Sequence, residues 1–223
     1  MEKFFNDQLY REKFISPKTI QLIYFLQSEV FFLTKLIFFI GHAGCGKTTI
    51  SKIAAEHLKV NYLDRDTIGS IFVDKMLSMK GLSPDDRDSQ AYHKEFRDIE
   101  YKAMFAIAAE NLKLGVDTIL VSPFSKEVNN SNWINEFLNE HQLNDITIRV
   151  VSVYLSEAEV QRERIRARNT SRDQWKLDNW DIYKEKLKKI EVNWLNVQTL
   201  YFDNSLDLTS EQIDSVISFL KTT

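Results

Sequence analysis

The eight residues Gly41-His42-Ala43-Gly44-Cys45-Gly46-Lys47-Thr48 constrain this chain more than any other stretch. They fit the pattern G-x-x-x-x-G-K-[ST], a loop built to hold phosphate. Phosphate oxygens need several donors converging on them without side chains in the way. Glycines let the backbone curl so that successive N–H groups point inward, and the helix that follows adds the positive end of its dipole. In such a loop Lys47 reaches the β- and γ-phosphates of a nucleoside triphosphate, and the Thr48 hydroxyl binds Mg²⁺. Gly41 through Thr49 are therefore the candidate nucleotide-binding residues. At ordinary residue frequencies the pattern arises by chance in roughly one chain per hundred of this length, and the flanks narrow that further. Ahead of it, Leu36-Ile37-Phe38-Phe39-Ile40 is a continuous apolar run of strand length, as in a buried parallel strand. Behind it, Ile50, Ile53, Ala54 and Leu58 recur at helical spacing. Strand, glycine turn and helix are the context the loop requires.

The remainder alternates in the same way. Val60–Leu63, Thr118–Val121, Ile146–Leu155 and Val197–Phe202 read as four further strands. Helical segments are expected over Thr67–Met79, from a new start within Gly81–Asp86 to Leu114, near 131–140, and over 178–193. In the long one Ile99, Ala103, Ala106 and Ile107 share a face, and Gly115 caps its end. Ser156 with Glu159, and Thr209 with Gln212, have capping-box spacing, the second opening an amphipathic helix through Ile213, Val216, Ile217 and Leu220. Alternation of this kind predicts an α/β fold whose five-stranded, mostly parallel sheet carries helices on both faces, with ligands just beyond the carboxyl ends of the strands. Ser16-Pro17 is a good helix start, so residues 1–34 are expected to form an N-terminal helical extension, with a helix over 17–31, on a domain spanning 35–223.

Composition limits the alternatives. A chain of 223 residues suits one large α/β domain, and a net charge of −3 gives no global sign of a nucleic-acid surface. Cys45 is the single cysteine, which excludes an internal disulfide and fits a reducing compartment. Amid donors Cys45 invites a reactive thiol, though simple occupancy of a variable loop position is the reading kept here. Lys35 breaks the greasy stretch before the loop. No apolar span of about twenty residues exists to cross a membrane, and the early charges do not resemble a cleavable signal. A cytoplasmic location is expected. His42, His57, His93 and His141 show no metal-ligand spacing, and Trp133, Trp175 and Trp194 are expected in the core.

Two further segments carry chemistry. Leu63-Asp64-Arg65-Asp66-Thr67 follows the second strand and so lies beside the phosphate loop. A carboxylate there accepts or orients the proton of an acceptor hydroxyl, and Asp can also hold Mg²⁺ directly or through water. Asp66 is the candidate base and Asp64, with Thr48, a candidate metal ligand; helix capping by Asp66 or Thr67 is the structural alternative. Downstream, Arg162, Arg164, Arg166, Arg168 and Arg172 crowd eleven residues. Arginine is the preferred clamp for the charge that spreads over a moving phosphoryl group, and Arg168 and Arg172 fall where a helix gives way to a lid loop, near 162–180. A solvated basic face partnered by Glu159 and Glu163 suits Arg164. Trp175, Trp180 and Tyr183 suggest base stacking, but Asp173, Asp178, Asp181 and Glu185 dilute the positive field, which argues against a nucleic-acid partner.

These stretches, with Arg87-Asp88-Ser89, Tyr92, Glu100-Tyr101, Ser122-Pro123-Phe124 and Arg172-Asp173-Gln174-Trp175-Lys176-Leu177, resemble a group of small P-loop kinases. The chain is similar to the bacterial "AAA family ATPase" or "ATP-binding protein" group, related to phage polynucleotide kinase and chloramphenicol phosphotransferase. The resemblance runs from residue 36 to about 185. It implies a three-layer, nucleoside-kinase-like P-loop fold, ATP and Mg²⁺ as cofactors, and transfer to a hydroxyl of a small-molecule substrate. It implies that Lys47, Asp66, Arg168 and Arg172 are the catalytic residues, and that the insertion carrying Asp88, Tyr92 and Tyr101 receives the acceptor. Gly69 stands where polynucleotide kinase has an arginine, which weighs against a nucleotide 3′-phosphate in the acceptor. Val121-Ser122-Pro123 lacks the Walker-B aspartate. An acceptor-independent ATPase, a polynucleotide 5′-kinase and a nucleotide-binding module without turnover remain open alternatives. The acceptor's identity and the oligomeric state are not written in the sequence.

Overall fold

The structure, a computed structural model, describes residues 33–222; the helix expected over 17–31 lies outside them. Strand β1 (Thr34–Ile40) leads through the glycine loop into helix α1 (Lys47–Leu58). Strand β2 (Asn61–Asp64) runs straight into α2 (Arg65–Met79). An insertion then ends in a π-helical turn, Tyr92–Phe96, that continues as α3 (Arg97–Lys113). Strand β3 (Thr118–Val121), helix α4 (Trp133–Glu140), strand β4 (Ile146–Tyr154) and helix α5 (Ala158–Arg168) follow. Two short helices, α6 (Gln174–Asp178) and α7 (Trp180–Lys184), precede β5 (Gln198–Asp203) and α8 (Ser210–Lys221).

The five strands form one sheet in the order β2-β3-β1-β4-β5. Every pairing is parallel, in register Phe38 to Leu120 and Phe38 to Val150 across its centre. Strand periodicity sends alternate β1 residues to opposite faces. Leu36, Phe38 and Ile40 join Met104, Ala108 and Phe137 under α3 and α4. Ile37 and Phe39 join Ile50, Ala54, Val216, Ile217 and Leu220 under α1 and α8. The result is the expected three-layer α/β fold. The order reverses at β1, so the crevice beyond its carboxyl end, where the glycine loop lies, is the site such sheets use.

Several local expectations are corrected. In α3 the residues Ile99, Ala103, Ala106 and Ile107 do not face the core; Tyr101, Met104, Ala108, Ala109 and Leu112 do, and Ile99 and Ile107 are exposed. The helix starts after Ser89 rather than within 81–86, because the Ser89 hydroxyl accepts the backbone N–H of Tyr92 at 3.1 Å. The Ser156–Glu159 box does not form. Ser156 bonds Ser205 at 2.9 Å and Glu159 accepts from the Trp180 indole at 3.0 Å. The Thr209–Gln212 box does form, with both reciprocal bonds. The expected helix over 178–193 ends at Lys184. Beyond it Ile190, Val192 and Trp194 alternate with polar residues and pack on the core, a period of two that tertiary burial converts into extended chain. Trp194 donates from its indole to the Glu127 carbonyl at 2.7 Å.

Candidate active site

The glycine loop is shaped from both sides. Gly46 adopts a left-handed φ of 91°, and a Cβ there would collide with the Asn204 amide. Asn204, just past β5, donates to the Cys45 carbonyl at 2.9 Å, and Gln161 of α5 donates to the Ala43 carbonyl at 2.6 Å. Tying these carbonyls back supports a loop whose N–H groups face the crevice. Neither amide stands out in the sequence. The signal for Asn204 is its place just after a strand; Gln161 is a polar side chain on the buried face of its helix. Cys45 is buried, and burial pushes its thiol up despite the nearby Lys47. It is therefore a packed residue and not an activated nucleophile. Lys47 Nζ lies 3.4 Å from the His42 carbonyl, and the Thr48 hydroxyl lies 3.4 Å from Asp64 Oδ2.

Asp64 is the hub at the end of β2. Its Oδ1 accepts the Asp66 backbone N–H at 2.9 Å, which caps α2, while Tyr62 donates to Oδ2 at 3.3 Å. Burial pushes the Tyr62 hydroxyl up to about 12, so it stays a donor. With both Asp64 oxygens engaged, the residue suits a water-mediated place on Mg²⁺ better than a direct one. At the Walker-B position the Ser122 hydroxyl instead shares a 2.6 Å bond with Tyr101. Among the described residues no cluster of three or more His, Cys, Asp or Glu is arranged to hold a metal.

Asp66 opens into the cleft beside Arg65, 2.6 Å from its guanidinium. Desolvation would raise its pKa, but Arg65, aided by Lys47 and Arg172, outweighs that and holds the carboxyl below its ordinary value. Arg65 in turn donates to the Tyr92 hydroxyl at 3.2 Å and lies 5.6 Å from the Tyr101 ring centroid. Tyr92 donates to the buried Glu100. Gly69 lets that carboxylate approach α2, since a Cβ there would sit 2.5 Å from Glu100 Cγ.

The arginine segment divides by role. Arg162 pairs with Glu159 at 3.5 Å and lies 5.5 Å from the Trp180 ring. Arg164, expected to be solvated, is half-buried with its guanidinium beside Gly46. Arg168 pairs with Asp173 at 2.6 Å. Arg172 donates to both oxygens of Asp74, at 2.9 and 3.0 Å, and to Ser70 at 2.8 Å. Trp180 and Tyr183 pack on Ile165 in a small buried core of their own, whereas Trp175, expected in the core, is 41% exposed.

One cleft of about 470 Å³ unites these groups. Its lining includes His42, Ala43, Lys47 and Thr48 of the glycine loop, Arg65 and Asp66 after β2, Arg168 and Arg172 after β4, and Asp88, Tyr92, Tyr101 and Trp175. Tyr101 contributes its ring alone. Its hydroxyl is committed to Ser122 and to the backbone N–H of Phe124 at 3.1 Å, so it is a wall of the cleft rather than a free polar contact. Asp88 is held by Lys176 at 3.0 Å.

Solved structures share this fold. A candidate kinase from Chloroflexus aurantiacus aligns with a TM-score of 0.63 at 19% identity, over 86% of this chain and 96% of that one. A sugar kinase from Janibacter sp. HTCC2649 aligns at 0.53 and 15% identity, over 84% and 94%. A gluconokinase from Sinorhizobium meliloti 1021 aligns at 0.50 and 14%, over 84% and 92%. Identities this low speak to the fold. Comparison with curated proteins finds no match. Residues 36–190 match the profile of a family described as an AAA domain. Since that match spans most of the chain, with the glycine loop, the β2 carboxylates and the arginine segment after β4 inside it, the chain belongs to this AAA-domain family of P-loop proteins.

Proposed function

We propose that the protein is a phosphotransferase that moves the γ-phosphoryl group of ATP to a hydroxyl of a small molecule. The observation that carries this reading is the convergence of Lys47, Asp66, Arg168 and Arg172 on one cleft with space for an acceptor. The loop amides and Lys47 hold the donor phosphates. Mg²⁺ suits the Thr48 hydroxyl, with Asp64 reached through water, and when bound it would neutralise charge on the phosphates. Asp66, ionised and facing the cleft, accepts the proton of the acceptor hydroxyl as its oxygen attacks phosphorus. Arg168 and Arg172 leave their carboxylate partners to take up charge on the moving group; such arginines contribute factors of about 10³–10⁵ in rate. The Asp88, Tyr92 and Trp175 side of the cleft receives the acceptor. The fold shared with a gluconokinase and a sugar kinase supports the reading, and a cytoplasmic site of action fits the single buried cysteine. Among the described residues no helix is long and apolar enough to cross a membrane.

The test is ADP release from ATP and Mg²⁺ in the presence of a panel of sugars, sugar acids and hydroxyl-bearing antibiotics. Acceptor-dependent ADP is expected, lost in Lys47→Ala, and lost in Asp66→Asn while ATP binding persists. Normal transfer by Asp66→Asn would sink the base assignment. Steady ADP formation without acceptor would make the protein an ATPase. Serine in the Walker-B place favours one other reading, a nucleotide-binding module, which tight ATP binding without any ADP would establish.

A further inference from the structure

Helix α2 carries a ladder of polar groups on one face. Asp66, Ser70 and Asp74 are spaced four residues apart, so each lies about 6 Å along the axis from the last. Ser70 donates to the Asp66 carbonyl, and its oxygen accepts from Arg172. Asp74, at the far end of the ladder, holds Arg172 through both carboxylate oxygens, and Asp85 adds a weaker contact at 3.8 Å. The arginine assigned above to the moving phosphoryl group is therefore docked one to two turns from the base.

Asp74 also pairs with Arg87 of the insertion. That guanidinium lies 5.3 Å from the centroid of the Tyr92 ring and has a buried Nη1 without a partner. One carboxylate thus serves two cations, one from the insertion and one from the segment after α5. If Arg172 departs, Arg87 still neutralises Asp74, so no carboxylate is stranded. Asp173 and Asp88 follow the same logic: Asp173 is shared by Arg168 and Lys176, and Lys176 also holds Asp88. Side chains at Asp74 and Arg172 are about one-third exposed, 35% and 29%, which keeps the contact modest and exchangeable. A triphosphate presents more negative charge than one shared carboxylate.

We propose that Asp74 is a positioning residue that holds Arg172, and with it the segment 170–176, against the acceptor wall until a nucleoside triphosphate draws the guanidinium along the α2 ladder toward Asp66. The proposal rests on the role given above to Arg172. Binding then includes the cost of breaking the Arg172–Asp74 contact, and neutralising Asp74 removes that cost.

The experiment measures Mg²⁺–ATP affinity by calorimetry and acrylamide quenching of tryptophan fluorescence on the full chain. Trp175 is the one tryptophan of the four that is exposed, and it sits beside the latch, so quenching reports the lid. Asp74→Asn is expected to bind ATP about two- to fivefold more tightly, the range an exposed ion pair supplies, and to be more quenchable without nucleotide. Asp74→Glu, which keeps the charge, is expected to behave as the parent, with thermal melts confirming folding of each variant. In an Arg172→Gln background the tightening should vanish, a coupling that a merely structural Asp74 would not show. Unchanged or weaker ATP binding in folded Asp74→Asn, or tightening that survives Arg172→Gln, would overturn the proposal. The donor reading fails separately: if the parent binds no ATP, that reading falls, while unchanged quenching in Asp74→Asn still refutes the latch on its own.

Discussion

At the scale of single residues, the Asp64-Arg65-Asp66 run shows how one short stretch divides its labour. Asp64 caps α2 and steadies Thr48, Arg65 sets the charge state of its neighbour, and Asp66 faces the cleft. Capping of α2 falls to Asp64 rather than to Asp66 or Thr67, which leaves the Asp66 carboxylate open to the cleft. The consequence for pH follows from sign. Folding depresses the Asp66 pKa below its ordinary 3.8. The Arg65 contact is therefore fully stabilising above that value and is lost as pH falls through the lower folded one. Transfer is expected to show no carboxylate limb between pH 7 and 5. In Arg65→Gln the strongest acidifying neighbour is gone while Lys47 and Arg172 remain, and any acid limb should move to higher pH. A pH–rate profile of the two proteins checks this; coincident profiles would remove Arg65 from the account. Cys45 gives the opposite lesson, since the same loop donors that suggest a reactive thiol lose to burial.

Elements were legible to the degree that their own periodicity decides their burial. The β1 run, α1 and the capped α8 appear where the pattern puts them, because each is buried on faces its own residues define. Helix α3 departs from its apolar periodicity because its buried face mixes Arg97, Glu100 and Tyr101 with small alanines, whereas its exposed side carries isoleucines. Polar residues inside that face are partnered by other elements, and a periodicity argument cannot see partners. The packing of α2 on α3 at Gly69 makes a test at this scale. Gly69→Ala places a Cβ 2.5 Å from Glu100 Cγ, and forcing that contact should destabilise by about 1–3 kcal/mol, read by urea unfolding. The helical gain of alanine over glycine, about 1 kcal/mol, works in the other direction. A net stabilisation would show that Glu100 moves aside freely. The extended chain after Lys184 is a second tertiary override, in which Trp194 and Ile190 gain more by joining the core than by continuing a helix.

For the whole molecule, the crevice is a product of strand order. With β1 between β3 and β4, the loop after β1, the carboxylates after β2, Ser122 after β3 and the arginine segment after β4 all meet at one sheet edge, although Lys47 and Arg172 are far apart in sequence. A buried tie braces the side of the cleft away from the loop. Arg97 makes a two-pronged pair with Glu127, at 2.8 and 3.1 Å, while its guanidinium lies 4.0 Å from the Tyr101 ring centroid. Glu127→Gln leaves that cation buried and short of its partner, which costs about 3–5 kcal/mol in such pairs. A fall in the thermal midpoint is expected, and an unchanged one would mean that Asp98 alone satisfies Arg97. The glycine loop, the parallel α/β architecture and the residue types needed for phosphate chemistry were determined by sequence alone, because loop geometry and strand burial depend on residues adjacent along the chain. Tertiary structure decided which aspartate caps and which faces the cleft, that Gln161 and Asn204 back the loop, that Trp175 stands open, and that Arg172 rests on Asp74. Each of those depends on a partner brought close only by folding, and no local pattern encodes a distance across the sheet edge.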